Sequence, residues 1–185
     1  MQVSGWEKDT DGVDETQSSR DPFEDATLKA AEAGEMEKLK DLINSNKELV
    51  KAVDKDGYTP LHRACYGNHV EVVKYLLERN APIDAETLDG WQPLHSACVW
   101  NNIDCISLLI QHGADVNALS KGQQTPLHLV SASSHNSPGL QLLLLHPDTN
   151  PHHVNASGDT AEKIAQRTGK YYSLYEIIQP CLNDI

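Results

Sequence analysis

The chain has 185 residues and a formal net charge of −12, with a single Phe among few large aromatics. That charge disfavours a nucleic-acid partner, because a phosphate backbone is held by clustered Lys and Arg. No apolar run is long enough to cross a membrane, no hydrophobic leader opens the chain, and the scarcity of large apolar side chains argues against one globular core.

Residues 1–24 hold seven acidic side chains against two basic ones, a net of −5, separated by Gly, Ser, Thr and Gln. Such a segment offers little apolar surface to offset its ordering entropy, so residues 1–24 are expected to form a disordered acidic leader. Trp6 is its odd member, either an exposed ring or the anchor of a short docking motif.

From about residue 25 to 182 the chain is organised by a recurring stretch. Asp56-Gly57-Tyr58-Thr59-Pro60-Leu61-His62 returns as Asp89-Gly90-Trp91-Gln92-Pro93-Leu94-His95. It returns again, with a changed turn, as Gly122-Gln123-Gln124-Thr125-Pro126-Leu127-His128. Prolines at 60, 93 and 126 set a period of 33 residues, the mark of stacked supersecondary units. Asp-Gly predicts a tight turn, Thr a helix N-cap, and Pro the first helical position, where no N–H bond is lost.

These residues resemble the ankyrin-repeat family, whose T-P-L-H-x-A signature is complete at 59–64 and broken only by Gln92 in the next copy. The fold expected is an all-α ankyrin-repeat solenoid of about five helix-turn-helix units, with degenerate caps at both ends, followed by a tail at 183–185. Leu28, Ala31 and Gly34 lie one period before Leu61, Ala64 and Gly67 and mark a charged N-terminal cap, with a polar loop at 44–48.

In the second unit, Leu61, Ala64 and Cys65 point inward, Gly67 ends the helix as a C-cap, and Val70, Val73, Leu76 and Leu77 line the outer helix. The third repeats this with Ile103, Ile106, Leu109 and Ile110, and the fourth carries insertions around 133–139 and the leucine run 142–145. The fifth, from Ser157, replaces Pro-Leu-His by Ala161-Glu162-Lys163 and keeps Ile164 and Ala165 inward. A last helix near 171–178, with Tyr172, Tyr175 and Ile178 on one face, is expected to close the stack before Pro180.

His62, His95 and His128 fall one per unit and read as structural imidazoles bonding the adjacent turn. Cys65, Cys98, Cys105 and Cys181 lack C-x-x-C spacing and read as reduced packing thiols. No G-x-S-x-G, P-loop or H-E-x-x-H occurs, so neither catalysis nor a cofactor or metal is expected.

Function then falls to the surface, on the concave face of turn tips and inner helices. The candidate protein-binding residues are Tyr58, Arg63 and Tyr66 in the second unit and Trp91, Ser96, Trp100 and Asn101 in the third. Trp100 stands where Gly67 ends the previous inner helix. Two readings compete: the tryptophans shield their own repeat, or they are partner anchors, as their composition with Tyr and Arg favours.

The resemblance implies a protein-binding adaptor acting as a monomer, the alternative being an inhibitor that occludes a kinase or transcription factor. A closer resemblance, carried by Asp89-Gly90-Trp91, Cys98, Trp100-Asn101-Asn102, Arg167-Thr168 and Tyr175-Glu176-Ile177, implies an intracellular, nuclear adaptor linked to transcription regulation and to differentiation in spermatogenesis. Leu109 with Asp115-Val116-Asn117 resembles the sequence an asparaginyl hydroxylase accepts in such repeats, which makes Asn117 a candidate modification site.

Overall fold

The computed structural model describes residues 21–132, 138–168 and 172–175. The acidic leader up to residue 20, Cys181 and the tail lie outside them. Pro22, Phe23 and Glu24 do not belong to the leader. They form the first turn of α1 (Pro22–Ala33), where Pro22 needs no N–H partner and the Asp21 carboxylate accepts from the Phe23 N–H at 2.9 Å.

The other helices of the first three units are α2 (Met36–Ser45), α3 (Pro60–Tyr66), α4 (Val70–Glu78), α5 (Pro93–Val99) and α6 (Ile103–Gln111). The remaining units supply α7 (Pro126–Ala132), α8 (Pro138–Leu144) and α9 (Ala161–Thr168). α3, α5 and α7 each begin on the proline of the repeated motif. Odd-numbered helices pack on one another in sequence order, α1 on α3 through to α9, as an inner row. α4, α6 and α8 pack likewise as an outer row, each held to the inner helix before it. The polar loop expected at 44–48 is instead the end of α2 and a 3-10 turn, Lys47–Lys51, capped by the Asn46 side chain.

Stacking buries the inner leucines: Leu61, Leu94 and Leu127 are closed to solvent, with Ala64, Ala97, Cys65 and Cys98. In α4 the buried side chains are Val72, Val73, Tyr75 and Leu76, while Val70 and Leu77 are half-buried. The apolar face is wider than the i, i+3, i+7 stripe, because an outer helix is flanked by its inner partner and by neighbouring outer helices. The leucine run splits for the same reason: Leu143 and Leu144 are buried, and Leu145 just past α8 is 69% exposed. Ile164 is only half-buried, leaving Ala161 and Ala165 to seal α9. Residues 172–175 are helical, and the Tyr175 ring is fully buried with its hydroxyl 2.7 Å from Ser131 Oγ. Ile178 lies outside the described residues.

Between one unit and the next, the chain makes a finger closed by a backbone bond: Asp54 N to Tyr58 O, Thr87 N to Trp91 O, Ser120 N to Gln124 O and Asn155 N to Asp159 O. Fingers are tied to each other by Leu88 N to Asp56 O, Lys121 N to Asp89 O and Ala156 N to Gly122 O, at 2.8–3.0 Å.

Candidate functional site

The finger ends of the inner helices are occupied by internal bonds. Nδ1 of His62 accepts from the Thr59 N–H at 3.2 Å, which leaves Nε2–H to donate to the Trp91 carbonyl of the next finger at 2.9 Å. His95 does the same between the Gln92 N–H and the Gln124 carbonyl, and His128 between the Thr125 N–H and the Asp159 carbonyl. Burial holds all three imidazoles neutral, lowering His62 to about 4 and displacing His95 and His128 in the same direction. The expectation of structural histidines therefore holds, with both ring nitrogens accounted for.

A second set was missed in the sequence. The side-chain oxygens of Asp54, Thr87, Ser120 and Asn155 accept from the backbone N–H of Tyr58, Trp91, Gln124 and Asp159 and close each finger from within. Four short oxygen-bearing side chains recur at spacings of 33, 33 and 35, but as different amino acids.

Among the candidate binding residues, Arg63 pairs with the carboxylates of Asp54 and Glu32, and its guanidinium lies 4.9 Å over the Tyr58 ring. Burial works against the Asp54 charge, yet Arg63 and two backbone N–H groups hold that carboxyl below its ordinary range. Trp91 is half-buried against the core and stacks on His95 at 6.5 Å. Ser96 is no surface residue: it is 4% exposed, its Oγ has no partner, and Arg63 one period earlier reaches out only because its chain is longer. Asn101 is also spoken for, since its Oδ1 accepts from the Gly139 N–H at 3.1 Å and ties the third unit to the fourth.

Two candidates remain open and meet. Tyr66 is 47% exposed, Trp100 is 51% exposed, and their rings touch edge to face at 5.1 Å. They close consecutive inner helices at the end away from the fingers, about 10 Å along the helix from Tyr58. The seven predicted residues thus form a finger-end group (Tyr58, Arg63, Trp91), an open pair (Tyr66, Trp100) and two internal residues (Ser96, Asn101).

Gly67 caps α3 as expected, but in the right-handed region: its φ is −75°, and Asn68 and Asn101 take the left-handed position at 57° and 54°. Gly67 is required for space, since a Cβ there would strike the His69 ring and come within 2.7 Å of the Glu32 carbonyl. In the third unit Asn102 replaces His69 and keeps its bond to the unit before, Nδ2 donating to the Cys65 carbonyl at 2.7 Å as the His69 ring bonds the Glu32 carbonyl at 2.9 Å. The imidazole that crowds position 67 is thereby absent beside position 100, and Trp100 adopts an ordinary φ of −96°.

Asn117 sits half-buried in the exit loop, its Nδ2 donating to the Asp148 carbonyl at 2.6 Å and its Oδ1 accepting from the Asn150 N–H at 2.8 Å. Cys65, Cys98 and Cys105 are buried free thiols, with burial pushing Cys65 and Cys98 up. Among the described residues no group of three or more His, Cys, Asp or Glu is placed to hold a metal, and no helix is long and apolar enough to cross a membrane.

Comparison with known proteins agrees with this architecture. The family described as ankyrin repeats (3 copies) matches residues 27–120, and the structure continues the same stacking beyond them to α9. The chain is 50% identical over 171 residues to ankyrin repeat domain-containing protein 49 of Bos taurus, covering 92% of this chain and 71% of that protein. The Homo sapiens protein of that name is 48% identical over the same shares. The Drosophila melanogaster one is 42% identical over 82 residues, 44% of this chain and 38% of its own. With that likeness and the stacked, finger-linked helix pairs, the chain belongs to the ankyrin-repeat family, whose repeats serve as protein-binding surfaces.

Proposed function

We propose that this protein is a non-enzymatic adaptor that binds a protein partner through the turn end of its inner helices, centred on Tyr66 and Trp100. One observation carries the reading: two large aromatic rings from consecutive units lie half-exposed in edge-to-face contact, at positions where neither seals the core. Rigid aromatic side chains of this kind supply most of the energy of a protein interface at low entropic cost. Tyr58 and Arg63 extend the surface toward the fingers, where their charges and ring faces are already paired. Trp91, half-buried and stacked on His95, contributes less.

The test is Tyr66→Ala with Trp100→Ala in the full chain, followed by proximity labelling against wild type. Loss of a defined set of neighbours with unchanged thermal unfolding supports the reading, and an unchanged neighbour set ends it. The inhibitor alternative differs in consequence: a bound kinase or transcription factor would lose its activity in the reconstituted complex. The nuclear, transcription-linked role in differentiation and spermatogenesis rests on resemblance alone. Imaging of the tagged full chain in germ cells, with exclusion from the nucleus, would remove it.

A further inference from the structure

The surface around the aromatic pair is acidic. Tyr66 is followed after three residues by α4, whose first turn carries Glu71; Trp100 is followed after two by α6, whose first turn carries Asp104. Both carboxylates are exposed, and no ion pair is recorded for either among the described residues. Glu32, at the end of α1 in the unit before, shares the Arg63 guanidinium with Asp54, so two carboxylates meet one cation there. α4 also carries Lys74, one turn after Glu71. The rings thus lie at an edge of the stack with an excess of negative charge, in a chain of net charge −12.

We infer that the segment docking on Tyr66 and Trp100 is a basic one: a partner peptide that sets an apolar or guanidinium-bearing side chain against the two rings and places Lys or Arg beside Glu71 and Asp104. This rests on the binding surface proposed above and adds its chemical class. Charge complementarity supports it from two sides. An acidic rim repels acidic segments and steers basic ones, and an aromatic face attracts a cation as well as an apolar chain. Nucleic acids and anionic lipid surfaces are disfavoured by the same field.

The experiment is a selection from a phage-displayed library of random 16-residue peptides. It is panned on the full chain and counter-panned on Tyr66→Ala/Trp100→Ala, and winners are synthesised for anisotropy titration. Expected are peptides with Lys or Arg flanking an apolar residue, whose Kd rises about 30-fold or more in the double variant. Their Kd also rises several-fold in Glu71→Gln/Asp104→Asn and on raising salt. Both variants are checked for unchanged thermal unfolding, and a variant that unfolds is replaced by Trp100→Leu or by Glu71→Gln alone. Winners that depend on the rings but are neutral or acidic, or ignore the carboxylate changes, overturn the basic class while leaving the surface standing. A selection in which no winner depends on the rings overturns both.

Discussion

The two ends of the same inner helices follow opposite rules. At the finger end the 33-residue period is kept closely: imidazole, cap, turn oxygen and inter-finger bond recur in successive units, and the polar atoms at 59, 62, 91 and 95 find partners inside the stack. At the turn end the period fails. Gly67 gives way to Trp100 and His69 to Asn102, and Tyr66 and Trp100 are left half-exposed. The repeating finger residues are committed to neighbouring units, and the open side chains, Tyr66 and Trp100, stand where the repeat is broken.

The contrast can be pressed from its strong side first. His62→Ala removes a side chain that satisfies one buried donor and one buried acceptor, and leaves a void. Urea denaturation is expected to show a loss of about 3 kcal/mol or more. Trp100→Ala is expected to cost under about 1 kcal/mol in the same assay, because half of the ring is already in water; equal losses would erase the distinction.

Acid acts on the finger end through its buried imidazoles. An unfolded imidazole takes up its proton below about pH 6.5, while folded His62 resists until about 4. Stability is therefore whole above that range and falls as the pH drops through it. His62 by itself accounts for about 2 kcal/mol between pH 7 and pH 5, and His95 and His128 act in the same direction. A denaturation midpoint flat from pH 7 to 5 would contradict the buried neutral bridges.

Smaller effects sharpen the picture. Gly57 and Gly90 hold the left-handed finger position, but Gln123 holds it in the fourth unit at φ 54°. Gln123→Gly is expected to raise stability by up to about 1 kcal/mol, read as a higher melting temperature. Smallest is Ser96→Ala, which deletes a buried hydroxyl without a partner and is expected to be neutral or stabilising by about 1 kcal/mol. A clear loss there would mean that the hydroxyl has a role in folding.

Local chemistry is what the sequence settled. Proline without an N–H, threonine as cap, glycine at positive φ and leucine once per period each act within a few residues, so the fold, the helix starts and the structural histidines were legible from the letters. So was the list from which the open aromatic pair was drawn. What only tertiary packing decided is which of those side chains remain outside. Ser96 and Arg63 share a register, yet one is sealed and the other ion-paired, because side-chain length sets who crosses the helix row. Asn101 is used up by Gly139 in the next unit, 38 residues away. Trp100 has room because Asn102 makes the bond to a carbonyl 37 residues back that the bulkier His69 ring makes one unit earlier. Exposure is a property of what the neighbouring unit does, and neighbours that distant are not written in any local pattern.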